Sequence, residues 1–222
     1  YLFKKKIMNK YLTIILVFVF LFSCENEENV IEPISLSENI EIYERDLISN
    51  DYIFVVENSS TYSYLINKEG YKIYEWNFET SSGNDLEILS DGSIIGLFKD
   101  NNATIDFGGF GGTGKIIDIN NNTTWEYTVS DDNSIAHHDI EILPNGNILM
   151  MIWERIPIDE AIANGVDFNT DIFTEKIIEI NPTTNNIVWQ WRSWEHIIQD
   201  KFEDLPNFGD INQNPEKINI NY

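Results

Sequence analysis

Three consecutive residues, His137, His138 and Asp139, carry the most chemistry in this chain. A neutral imidazole can act as a nucleophile, as an acid or base near neutral pH, or as a metal ligand. Two adjacent histidines without a third nearby make a thin donor set for metal, and the chain's remaining histidine, His196, lies far along the sequence. Adjacent residues of a regular strand face opposite sides. That alternation groups His138 with Ile140 and Ile142, and His137 with Asp139 and Glu141. For either ring the structural alternative is an ordinary hydrogen-bonded histidine at a strand end.

Other patterns promise less. Gly109-Phe110-Gly111-Gly112-Thr113-Gly114-Lys115 satisfies G-x-G-x-x-G, but a phosphate loop needs a helix directly after it, and Ile116-Ile117-Asp118-Ile119 reads as a strand. A glycine-rich connection is the expected outcome. Asp210-Ile211-Asn212-Gln213-Asn214 imitates the start of a calcium loop, yet Pro215 stands where Gly is needed and Asn221 where a bidentate Glu is needed. Arg155 is expected to pair with one of the many carboxylates. His196 is expected on a short surface helix, beside a Trp189 to Trp194 cluster in which Trp191 and Trp194 have either a packing or a stacking role.

The histidines open one copy of a repeat. Asp85-Leu86-Glu87-Ile88-Leu89-Ser90-Asp91-Gly92 returns 54 residues later as Asp139-Ile140-Glu141-Ile142-Leu143-Pro144-Asn145-Gly146. A second phrase, a β-branched run followed by a polar turn and Trp, recurs at Tyr64 to Trp76, Ile116 to Trp125 and Ile177 to Trp189. Periods of roughly 40–60 residues with several short strands indicate propeller blades, because one blade cannot bury both faces of its sheet. Trp76, Trp125 and Trp189 are then expected to pack blade on blade. Asn67 to Gly70, Asp91-Gly92, Asn120 to Asn122, Pro144 to Gly146 and Asn181-Pro182 supply the turns. Helical patterning is confined to Pro157–Asn164 and Trp194–Phe202. The expected fold is an all-β β-propeller of about three blades, in which a ring at the start of an inner strand can reach the axial mouth. Closed propellers need at least four blades, so the chain is expected to be incomplete.

The chain holds 14 Lys+Arg against 37 Asp+Glu, a net charge of −23. Such a surface repels nucleic acid and anionic headgroups, which excludes both as expected partners. Lys4, Lys5, Lys6 and Lys10 precede an apolar stretch from Tyr11 to Phe22 that ends at Ser23-Cys24. This reads as an export signal and is too short for a comfortable membrane span. Cys24 is the one cysteine, so no intramolecular disulfide exists. Leu21-Phe22-Ser23-Cys24 resembles a bacterial lipobox, which makes Cys24 a lipid anchor; a plain signal peptide with a leftover thiol is the alternative. The expected organisation is a lipoprotein signal over 1–24, an acidic tether over 25–45 and a partial propeller over 46–222.

His137 to Leu149, followed by Ile177-Ile178-Glu179-Ile180-Asn181-Pro182 and Ile187-Val188-Trp189-Gln190-Trp191, resembles the bacterial arylsulfotransferases. The resemblance covers about residues 60 to 222 and implies a six-bladed exported propeller. It implies transfer of a sulfuryl group from a phenolic sulfate donor to a phenol acceptor through a sulfohistidine, with no cofactor. His138, with His137 as its neighbour, matches a family site position. The family's His-x-Asn pair, binding Arg and nucleophilic His come from later blades and cannot be assigned here. The implied location is that of an exported lipoprotein of a Gram-negative bacterium, facing the periplasm or the outer-membrane surface and held to the membrane through its lipid alone. The alternative from a different class is a non-catalytic surface propeller that binds glycan or protein partners. A quinoprotein dehydrogenase, whose Ile-Asn-Pro to Trp phrase is similar, lacks a readable cofactor pattern here.

Overall fold

The computed structural model describes residues 35–221. Cys24, the export signal and the first ten residues of the tether lie outside them. Eleven strands form three consecutive antiparallel meanders. The first sheet is β1 (Ile53–Val56), β2 (Tyr62–Ile66) and β3 (Lys72–Asn77). The second is β4 (Ser82–Ile88), β5 (Ile94–Lys99), β6 (Gly112–Ile117) and β7 (Thr123–Thr128). The third is β8 (Ser134–Ile142), β9 (Ile148–Ile156), β10 (Ile172–Asn181) and β11 (Asn186–Arg192). This is the all-β, propeller-like arrangement that the repeat predicts.

The hairpins sit where the turn residues put them. Gly70, Gly92 and Gly146 each have φ +83°, a conformation that costs glycine nothing. The β4–β5 and β8–β9 turns are copies: the N–H of Ser93 binds Asp91 Oδ1 and that of Asn147 binds Asn145 Oδ1, both at 2.9 Å.

Packing explains the composition of the strands. Ile94, Ile95, Leu97 and Phe98 of β5 are all buried, because the second sheet is covered on both faces, and so an unbroken apolar run replaces alternation. One face meets the first sheet around Trp76, Phe78, Leu86, Ile94, Phe98 and Ile117. The other meets the third sheet, where Ile95 and Leu97 pack with Ala136, Ile140, Met150 and Ile178.

The repeat's aromatic residues fall differently from the Trp-to-Trp alignment. A register shift recurs in the last strand pair of each sheet, at Leu65/Ile66, Ile116/Ile117 and Glu179/Ile180. Relative to it, Leu65 pairs with Tyr74, Ile116 with Trp125 and Glu179 with Trp189. Trp76 is therefore the counterpart of Tyr127 and Trp191. Trp76 and Trp125 pack into the two seams as expected; Trp189 is 49% exposed.

Of the two helical expectations, Pro157–Asn164 holds as α1 (Ile158–Ala163). Trp194–Phe202 does not: a 3-10 turn over Ser193–His196 gives way to β12 (Ile197–Ile198), which pairs in parallel with β13 (Ile218–Asn219). Trp194 and Ile197 are drawn into a small core with Ile156, Ala161 and Val166, and a strand end satisfies that core without a full helix.

Candidate functional site

In β8 the ladder to β9 is broken where the histidines lie. Ala136 pairs with Ile152 and Ile140 with Met150, so that His137, His138 and Asp139 together face the single Met151. The extra residues form a bulge, and His138 takes up the slack in the left-handed region at φ +57°. The expectation that the two rings occupy opposite faces is therefore corrected. Their Nδ1 atoms are 2.5 Å apart, a hydrogen-bond contact that needs both rings on one side.

That side is aromatic. Trp153 of β9 stacks on His137 at 4.1 Å between ring centroids and meets His138 edge-on at 5.4 Å. Phe107 stacks on Trp153 at 4.5 Å and touches Phe173 edge-on at 4.8 Å. Phe107 is 44% exposed, so the wall opens to solvent at that end. Glu175, which pairs with Trp153 across the β9–β10 ladder, accepts from the Trp153 indole N–H through Oε1 at 3.3 Å.

The glycine-rich connection leads into strand β6, as expected, and it also packs against the bulge. The His138 N–H donates to the Gly109 carbonyl at 3.3 Å and the Gly111 N–H to the Ala136 carbonyl at 2.9 Å. Gly109 has φ +59°, and a Cβ there would lie 2.5 Å from His138 Nε2. Glycine is needed at this position on both counts.

His137 is 1% exposed. Burial pushes its imidazole below the ordinary value of 6.5, the nearby Glu175 carboxylate pulls it partly back up, and His138 opposes that recovery. His137 is thus a neutral ring at neutral pH. Its Nε2 lies 2.9 Å from Glu175 Oε2, but off the N–H axis, so both are buried atoms without an aligned hydrogen bond.

The remaining candidates stand apart. Arg155 pairs with Asp171 through Nε and Nη2, as the acidic composition predicts. His196 is exposed in its 3-10 turn and stacks on Trp191 at 5.2 Å. Trp194 is buried, its indole N–H bound to Glu160. Asp210 caps the 3-10 turn over Ile211–Gln213 by accepting from the Asn212 N–H. Phe107, Phe173 and Glu175 were not found by sequence reasoning. The available signal for Phe107 was the pair of phenylalanines that brackets Gly108-Gly109; Phe173 and Glu175, the latter between Thr174 and Lys176, carried none.

A concavity of about 830 Å³ lies away from the histidines, among the turns that adjoin the outer strands. Its lining is mostly amide and hydroxyl, including Asn121, Thr123, Thr124 and Asn185, with the Trp125 indole bound to Asn185 Oδ1 at 2.9 Å.

Stacked antiparallel meanders define a propeller-like protein, and among the described residues an imidazole pair set in an aromatic wall is its candidate site. The family model described as arylsulfotransferase (ASST) matches residues 85–221, and the chain belongs to that family. A crystal structure of a protein of unknown function from Bacteroides caccae is similar at 14% identity and a TM-score of 0.41, over 65% of this chain. This chain spans 41% of the length of that one. No curated protein matches.

Proposed function

We propose that this chain supplies one wall of a site that moves a sulfuryl group between phenolic compounds, with His138 binding or polarising the transferred group and His137 behind it. The observation that carries the reading is the imidazole pair set into the Phe107–Trp153 wall. A phenyl ring can stack on that wall while its sulfate reaches an imidazole. In the first half-reaction the S–O bond of the donor ester breaks as an N–S bond forms to a nucleophilic imidazole, and the phenolate leaves. In the second, the acceptor's oxygen attacks sulfur, the N–S bond breaks and the acceptor's phenolic proton passes to a base. The protein is read as an exported lipoprotein held at a membrane through Cys24, on its sequence.

The test is transfer from an aryl sulfate to a phenol by full-length protein, with mass spectrometry for sulfohistidine. His138→Ala is expected to lower transfer by roughly a hundredfold or more, the cost of one polarising donor. Normal transfer by that variant overturns the site assignment. A second reading, glycan binding without turnover, is favoured by the amide- and hydroxyl-lined concavity beside Trp125. It predicts saturable oligosaccharide binding, weakened by Asn185→Ala, with no sulfate-ester turnover.

A further inference from the structure

Glu175 is the charged residue of the aromatic wall, and its two oxygens have different surroundings. Oε1 is held by the Trp153 indole N–H. Oε2 is buried, 2.9 Å from His137 Nε2, and has no aligned partner. Although it lies off the N–H axis, a carboxylate oxygen 2.9 Å away in a buried setting favours the tautomer that puts a positive N–H, and not a lone pair, at Nε2. The proton of neutral His137 therefore belongs on Nε2, and its Nδ1 carries a lone pair. At 2.5 Å between the two Nδ1 atoms one must be a donor. With His137 Nδ1 the acceptor, the donor is His138 Nδ1–H.

We propose that Glu175 is a positioning residue that sets the tautomers of both histidines and leaves His138 Nε2 with a free lone pair. The functional consequence rests on the transferase reading. His138 can then accept the acceptor's phenolic proton at Nε2. Once protonated, it is a cation that donates the same Nε2–H to the sulfuryl oxygens. Trp153 supports the arrangement twice, since its ring stacks on His137 and its N–H fixes Glu175. Gly109 leaves the space that Nε2 occupies. The relay parallels the use of a carboxylate to hold an imidazole in one tautomer, with a second ring as the link.

The test reads protonation directly and needs no turnover. Full-length protein labelled with 15N at histidine is examined by long-range 1H–15N correlation, at a pH above the ordinary imidazole value of 6.5. His137→Gln, His138→Asn and His196→Gln spectra assign the signals. The expected result is Nε2–H at His137, Nδ1–H at His138 and the ordinary mixture of a free imidazole, in which Nε2–H predominates, at exposed His196. In Glu175→Gln the His138 preference for Nδ1–H is expected to be lost while His196 is unchanged. His138 found as Nε2–H in the unsubstituted protein overturns the proposal, even if Glu175→Gln does not fold. So do unchanged tautomers in a folded Glu175→Gln. Because no substrate is involved, failure of the transferase reading leaves this result standing, and the reverse also holds.

Discussion

The inner strands of the second and third sheets, β4 and β8, are the same device with different residues in it. In β4, Gly83, Asn84 and Asp85 stand opposite Leu97, between the pairs Ser82–Phe98 and Leu86–Gly96. In β8, His137, His138 and Asp139 stand opposite Met151. Both bulges are followed by an equally buried anchor, Leu86 at 5% and Ile140 at 6% exposure. What differs is the filling. Gly83 lies against backbone, with Gly111 Cα 3.2 Å from where a Cβ would be, and Asn84 Oδ1 accepts from the Asn58 side-chain amide. Only β8 places rings there, and His138 takes a positive φ that Asn84, its counterpart in β4, does not. The bulge thus belongs to the repeat, and the histidines are a site built on a backbone irregularity that the repeat provides.

Four outcomes test whether the two bulges are equivalent and what the histidines add to one of them. Leu86→Ala and Ile140→Ala should each cost about 2–5 kcal/mol in urea unfolding, and their near-equality is the point. A large cost at one anchor alone would mean that the bulges are not equivalent. Gly109→Ala should cost about 1–2 kcal/mol for its positive φ and displace the His138 ring, which 15N correlation at histidine would show as a shifted His138 signal with His196 unmoved.

The third outcome concerns pH. His137 has a folded-state pKa below its unfolded value, so the unfolded chain takes up its proton first. Stability is then full above about pH 6.5 and falls as pH drops through the folded-state value. His137→Gln should flatten that part of the stability profile above the carboxylate range, and an unchanged slope would show that His137 is not the group responsible. The smallest effect on the fold is expected for His138→Asn. Asn tolerates positive φ and is the residue at the same point of β4, so stability should change by no more than about 0.5 kcal/mol while transfer is lost. A large loss of stability would make His138 structural.

The site was partly legible in advance. Type and spacing singled out His137 and His138, and the phrase repeated 54 residues apart located them at the start of a repeated strand. Strict alternation then misled, because a bulge is invisible to a period-two reading: the two extra residues of β8 leave Ala136 and Ile140 on one face, as if nothing had intervened. The Trp-to-Trp alignment failed for a related reason. Register is set by backbone pairing, and aromatic residues of different type fill the same seam.

Sequence alone is enough for the all-β class, the three meanders and the turns, because hairpin residues and apolar periodicity act over a few neighbours. It also determined the family. Folding is what brings a glycine-rich connection between β5 and β6, a tryptophan of β9 and a glutamate of β10 together at the histidines. Those contacts depend on how two sheets stack and on which atoms burial leaves facing each other, and no local pattern encodes the distance between them.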